Sequence, residues 1–217
     1  MLVNTETYKK ITEELINKAT LVAVSKVKPV EAILELYHLG QRDFGENYVQ
    51  ELVDKQSKLP TNINWHFIGH LQSNKVKFIA PFVYLIHGVD SIKLLKEVNK
   101  QAAKNNKIIK CLLQVHIAQE TTKFGFGLDE LNDLFFLSEC KNVEVIGLMG
   151  MASFSNDLNL VRKEFIQLQQ LFKTLQKSNP QFTTLSMGMS DDYKIALEEG
   201  SNMIRIGSLL FGKREYN

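Results

Sequence analysis

Apolar residues along this chain follow two alternating rhythms. Short runs rich in Val, Ile and Leu read as buried strands, and stretches with apolar residues three and four apart read as amphipathic helices. After a first helix over residues 6–18, strand-like runs fall at 21–24, 43–44, 63–69, 83–90, 108–117, 143–151, 183–190 and 202–208. Helix-like patterns follow them at 30–39, 48–57, 73–80, 92–105, 128–137, 159–177 and 193–199, with a last short helix after residue 208. Gly40 is a stop for the first of these and Pro180 for the longest; Ser73 stands where the third would take its N-cap. Strands alternating with helices predict a parallel sheet. Eight such repeats predict that the sheet closes, giving one α/β domain over residues 1–217: a single (β/α)8 TIM-type barrel with an extra N-terminal helix. The alternative is an open doubly wound sheet, although no G-x-G-x-x-G follows the first strand.

Composition narrows the function without naming it. The 217 residues are 44% hydrophobic and 23% charged, with a net charge of +2, ordinary for a globular protein. No basic stripe or arginine-rich run points to nucleic acid. No apolar run is long enough to span a bilayer, and the N-terminus "MLVNTETYKK" has no apolar signal core. Cys111 and Cys140 give no disulfide framework, so the expected compartment is the cytoplasm.

A barrel of this type does its chemistry at the C-terminal ends of its strands, which makes a short register of candidates. Lys26 follows the first strand, in "LVAVSKVKP". It either begins a solvated loop or is held in a cleft because its amine reacts; position alone leaves both open. "GENY" offers Glu46, Asn47 and Tyr48, and "GHLQSNK" offers His70, Gln72 and Lys75. His87 and Asp90 follow the fourth strand, His116 and Lys123 the fifth, Met151 and Ser153 the sixth. "MGMSDD" brings Ser190, Asp191 and Asp192, and "RIGSLLFG" brings Arg205, Gly207 and Ser208. These last two loops have the character of a phosphate cradle: glycines for close backbone approach, hydroxyl donors, and a helix start. Ser190 or Asp191 could equally cap the helix that begins near Tyr193. His66 and His70 are four apart, but His66 lies in a strand pattern, so no metal site is expected there. "GFGLD" has the wrong spacing for a dinucleotide fingerprint, and no nucleophile elbow, zincin or Walker motif occurs.

A strand-end lysine facing a phosphate cradle is the layout of a barrel that binds pyridoxal 5'-phosphate (PLP). The blocks "AVSKVKP", "FGENYVQE", "WHFIGHLQSNK", "LMGM", "LSMGMSDDY" and "IRIGSLLFG", in order from Val24 to Gly212, resemble the YggS/PROSC family of PLP homeostasis proteins. That family is similar to the barrel domain of alanine racemase. The resemblance implies that Lys26 holds PLP as a Schiff base, that Ser190, Gly207 and Ser208 complete the phosphate cup, that Arg205 lies beside the pyridine nitrogen, and that Asn47 is on the cofactor side. Lys123, in "TTKFGF", departs from the family's usual "SKxG" and its part in cofactor exchange is in doubt. The implied function is to hold PLP and pass it to apo-enzymes that need it, with no residue assigned to catalysis. The alternative is a PLP-dependent amino-acid racemase; a third reading, a barrel isomerase or aldolase acting on a phosphorylated substrate, predicts a colourless protein. Racemases of this barrel type place a tyrosine from a second domain opposite the lysine. Here only ten residues follow Gly207, and Tyr216 among them is the nominal substitute.

Overall fold

The two rhythms resolve into the elements they predict, with one exception. The structure, a computed structural model, describes residues 2–120, 124–131 and 134–212. Helix α1 (Thr5–Leu15) precedes β1 (Thr20–Val24), α2 (Val30–His38), β2 (Asp43–Glu46), α3 (Val49–Gln56) and β3 (Asn64–Phe67). Then come α4 (Val76–Ile79), β4 (Leu85–Val89), α5 (Ile92–Lys104), β5 (Ile109–Val115), β6 (Val143–Gly150) and α6 (Leu158–Ser178). The chain closes with β7 (Thr184–Ser186), α7 (Tyr193–Glu198), β8 (Met203–Ile206) and α8 (Ser208–Phe211). The strands pair in chain order, all parallel, and β8 pairs with β1, so the sheet is a closed barrel.

The exception is the expected helix over 128–137. Its described residues form two 3₁₀ turns, Leu128–Leu131 and Phe135–Glu139. The physical reason lies in the spacing: Leu128, Leu131, Leu134 and Leu137 recur every three residues. At three residues per turn such side chains eclipse on one face, whereas on an α-helix they drift around it. Leu131 is buried and the other three pack partly against the core. A second correction concerns Ser73. It does not cap α4 but begins a 3₁₀ turn, Ser73–Lys75, that leads into the helix, with Gln72 at the cap position and no side-chain bond there.

The core has two layers. Outward-facing strand residues such as Leu21, Phe44, Trp65, Phe67, Ile86 and Ile204 pack against the helices. Inside the barrel Val22, Leu85, Leu112, Met149 and Met203 form a separate apolar plug. Above the plug the inward positions turn polar, and this change sets the site. The strand-like runs 183–190 and 202–208 overreach: only Thr184–Ser186 and Met203–Ile206 are strand. Their remaining residues leave the sheet and become the loops of the site. The β7–β8 join carries a single registered pair, Ser186↔Met203. Side chains reinforce it. Asn202 accepts from the Leu185 N–H at 2.8 Å and donates to the Thr183 carbonyl, and the Ser201 hydroxyl lies within hydrogen-bonding range of the Leu185, Met187 and Met203 carbonyls.

Candidate functional site

Successive side chains of a strand point to opposite faces, and this alternation decides what reaches the barrel mouth. On β1, Val22 faces in and Ala23 out. The same parity turns Val24 and Lys26 inward and Ser25 outward. On β2 it turns Asn47 inward and Glu46 outward, toward α3. On β8 it turns Arg205 inward, two residues beyond Met203. Lys26, Asn47, Ser190, Arg205, Gly207 and Ser208 all line one cleft of about 290 Å³ at the C-terminal end of the barrel. Val24, Ile68 and Met151 supply its apolar walls, which explains a half-buried lysine at this position.

The loops after β7 and β8 are tied together at the cleft. The Gly207 N–H donates to the Ser190 hydroxyl oxygen at 3.3 Å, so Ser190 is not a helix cap. Asp192 holds the cap position of α7 and accepts from the Met189 N–H at 2.6 Å instead. Gly188 has φ of 95°, and a Cβ there would meet the Ala196 Cβ at 2.6 Å. It therefore lets the loop turn tightly over α7 and does not line the cleft, unlike Gly207. The first N–H groups of α8 have no partner within the helix. Together with the Ser190 and Ser208 hydroxyls they form a donor-rich corner. Asn47 enters from the opposite side. A Cβ at Gly69 would stand 2.4 Å from the Asn47 carbonyl oxygen, so the glycine of "FIGH" permits the approach of the two loops. The Asn47 Oδ1 is buried without a hydrogen-bond partner, an acceptor facing a site built for a donor.

Arg205 is buried and held from both ends, donating to the Ser186 hydroxyl oxygen at 2.6 Å and to the Gly150 carbonyl at 3.0 Å. Burial pulls its guanidinium down to about 10, and Asp192 opposes this, so it stays cationic at neutral pH. Behind it runs a line of hydrogen bonds through the barrel. His87 Nδ1 lies 3.2 Å from the Ser186 Oγ, His66 Nδ1 lies 2.9 Å from the His87 Nε2, and His66 Nε2 lies 2.9 Å from the Asp43 Oδ1. The Asp43 carboxylate can only accept, which orders the line of neutral imidazoles: His66 donates to Asp43, His87 to His66, and Ser186 to His87, while the Ser186 oxygen accepts from Arg205. His87 is fully buried, and burial, with His66 and Arg205 adding, holds it neutral, well below its usual pKa. These tautomers follow from the network. The interior histidines were legible only through strand parity, not through any motif.

A buried ionic cluster lies on the outward side of the Lys26 turn. Lys55 of α3 donates to the Ser25 carbonyl at 2.7 Å, to Glu46 at 2.8 Å and to Glu51 at 2.6 Å. The Ser25 hydroxyl donates to the same Glu46 oxygen at 2.6 Å, while the other Glu46 oxygen is buried without a partner. Burial pushes the Glu46 carboxyl up to about 7, against the pull of Lys55. Its folded pKa thus exceeds its unfolded one, and its share of stability is full below about pH 4.5 and declines as pH rises to about 7. At about 1.4 kcal/mol per pH unit the decline is on the order of 3.5 kcal/mol. Glu46→Gln, neutral throughout, should flatten the stability profile between pH 5 and 7 in denaturant titrations. An unchanged slope would show that Glu46 does not titrate there.

Of the other candidates, Met151 and Asp191 also line the cleft; the remaining described ones fall outside it. His70 pairs with Asp90 at 2.9 Å and stacks on Phe124; it and His66 do not meet. With Gln72 and Lys75 it lines a neighbouring cavity of about 380 Å³ that shares Asn47 as a wall. Lys123 and Tyr216 lie outside the described residues. The sequence reading missed Lys28, which lines the cleft while donating to the Phe211 carbonyl at 2.8 Å.

This geometry has close parallels among known proteins. The alanine racemase N-terminal domain family matches residues 4–215. A pyridoxal phosphate homeostasis protein of Aquifex aeolicus is 42% identical over 203 residues, covering 92% of this chain and 89% of its own. PipY of Synechococcus elongatus, solved without PLP, superposes with a TM-score of 0.91 at 37% identity, over 95% of this chain and 99% of that one. The same protein with PLP bound gives 0.87 at 36% identity over the same shares.

Proposed function

This chain belongs to the alanine racemase N-terminal domain family and, within it, to the pyridoxal phosphate homeostasis proteins, and on that premise we propose that it holds PLP at Lys26 and hands it to enzymes that need it, without substantial turnover of its own. The observation that carries this reading is the convergence of Lys26, Asn47, Ser190, Arg205, Gly207 and Ser208 on one cleft. The residues present fit the cofactor. A donor-rich corner suits a phosphate, a half-buried lysine suits an aldehyde, and the buried, unpartnered Asn47 Oδ1 suits a polar ring substituent.

Bound PLP supplies an aldehyde that an amine captures reversibly, forming a C=N bond with loss of water. Lys26 is placed to be that amine, because it lines the cleft between apolar walls and the donor-rich corner. Ser190, Ser208 and the backbone at Gly207 would hold the phosphate by charge-assisted hydrogen bonds. Arg205, cationic and donor-only, would disfavour protonation of a ring nitrogen held beside it, which would weaken the electron sink that carbanion chemistry requires. No helix among the described residues is long and apolar enough to cross a membrane. The free, buried Cys111 and Cys140 suit a cytoplasmic setting.

Two measurements on the PLP-loaded protein test the proposal. Mixed with an apo-enzyme that requires PLP, it should restore activity even when a phosphatase destroys free PLP. Failure to restore activity with and without the phosphatase overturns delivery. Incubated with L- or D-alanine, it should give no sustained interconversion. Turnover at about 1 s⁻¹ or more, lost in Lys26→Ala, would establish a racemase instead.

A further inference from the structure

Lys26 sits between two residues whose backbones are gripped from α3. On one side the Ser25 carbonyl accepts from the buried Lys55 amine at 2.7 Å. On the other the Val27 N–H donates to the Glu51 carboxylate at 2.6 Å. Val27 has φ of 61°, a left-handed conformation that is a genuine outlier for a β-branched residue. Such strain persists only where the surroundings over-determine it. The Val27 side chain does not do so, being 63% exposed. Two contacts hold the turn: the Lys28 N–H donates to the Ser25 carbonyl at 3.0 Å, closing it locally, and Glu51 grips it from outside; Glu51 is itself held by Lys55, one helical turn along α3, at 2.6 Å.

We propose that Glu51 and Lys55 are positioning residues that clamp the strained Ser25–Lys26–Val27 turn so that the Lys26 amine is aimed into the cleft. The turn folds back at Val27, and this reversal keeps Lys26 over the barrel mouth on the parity set by Val22 and Val24. Without the clamp, Val27 relaxes toward negative φ, which rotates the peptide that carries Lys26. The grip is specific to the amine. Neither Glu51 nor Lys55 lines the cleft, and the phosphate corner is built from β7, β8 and α8 on separate loops. The clamp should therefore govern covalent capture and leave phosphate binding alone. This inference rests on the reading that Lys26 captures PLP.

The test compares cofactor-free wild type, Glu51→Ala, Glu51→Gln and the double variant Glu51→Ala with Val27→Gly. Two probes are used: PLP, with borohydride trapping and mass spectrometry at Lys26, and pyridoxine 5'-phosphate, which has ring and phosphate but no aldehyde. Glu51→Ala should slow trapping at Lys26 by about tenfold to a hundredfold, the scale on which misplacing a reacting group acts. Its affinity for pyridoxine 5'-phosphate should be unchanged. Glu51→Gln, which keeps an acceptor for the Val27 N–H, should recover most of the rate. Val27→Gly should rescue Glu51→Ala, since glycine adopts positive φ without strain and needs no clamp. Wild-type trapping rates in Glu51→Ala, or no rescue by Val27→Gly, would overturn the proposal. An equal loss of pyridoxine 5'-phosphate affinity would also overturn it, by marking a general collapse of the site. If wild type itself carries no label at Lys26, the functional reading fails instead, and the two failures are distinct.

Discussion

Lys26→Ala is expected to stay colourless when PLP is added, and borohydride is expected to fix no pyridoxyl group in this segment of the chain. The amine is the one group on the inward parity of β1 able to add to an aldehyde, following Val22 and Val24 up to the barrel mouth. The nearest substitute, Lys28, also lines the cleft, but its amine is engaged by the Phe211 carbonyl at 2.8 Å. Lys55 is buried among three oxygen acceptors. Covalent capture should thus fall to background while phosphate-dependent, non-covalent retention of PLP persists, because the cup comes from other loops. Absorbance titration separates the two losses. Mass spectrometry of the reduced wild-type protein provides the check: a pyridoxyl label found reproducibly on another lysine, with Lys26 unmodified, would refute the assignment.

The second large effect is expected at the phosphate cup. Ser190→Ala and Ser208→Ala each remove a hydroxyl that can donate to an anion. A hydrogen bond to a charged group is worth roughly 1.5–3 kcal/mol when shielded, or about ten- to a hundredfold in affinity. The larger loss belongs to Ser190. It is half-buried and already accepts from the Gly207 N–H, which leaves its own hydrogen to point at the ligand. Ser208 is exposed, so water competes for its bond and its loss falls toward the lower end. Pyridoxal, which has no phosphate, should bind both variants as it binds wild type. Equal weakening of pyridoxal and PLP in a fluorescence titration would remove the phosphate role.

Much of this was legible in the sequence because two periods carried it. Alternation of short apolar runs with amphipathic stretches specified the barrel, and the strand-end rule put Lys26, Ser190, Arg205, Gly207 and Ser208 at one mouth. The helix expected at 128–137 failed for a reason also present in the sequence: leucines every three residues suit a 3₁₀ turn. The interior line from Asp43 to Arg205 was hidden because its members come from five strands, and no linear spacing brings His66 beside His87. The Glu46–Glu51–Lys55 cluster was hidden in the same way. Glu51 and Lys55 look like the solvated face of α3, and Glu46 like a strand-end candidate, until the turn after β1 is laid against them. The strain at Val27 leaves no mark in composition at all, since glycine or asparagine is the residue expected at such a φ.

The sparse join between β7 and β8 has a consequence for the empty and the loaded protein. One registered pair, the main-chain bonds from the Asn202 N–H to the Leu185 carbonyl and from the Arg205 N–H to the Gly188 carbonyl, and the side chains of Asn202, Ser201 and Arg205 hold this seam; the phosphate corner lies directly beyond it, with Ser190 on one lip and Ser208 on the other. A phosphate gripped by both lips would act as a removable rivet across this seam. Cofactor occupancy and the integrity of the closed wall would then be linked. At a free PLP concentration about a hundred times the dissociation constant, the folded protein would gain about 2.7 kcal/mol over forms that do not bind PLP. Loss of the cofactor would return the protein to a form in which this seam opens more readily.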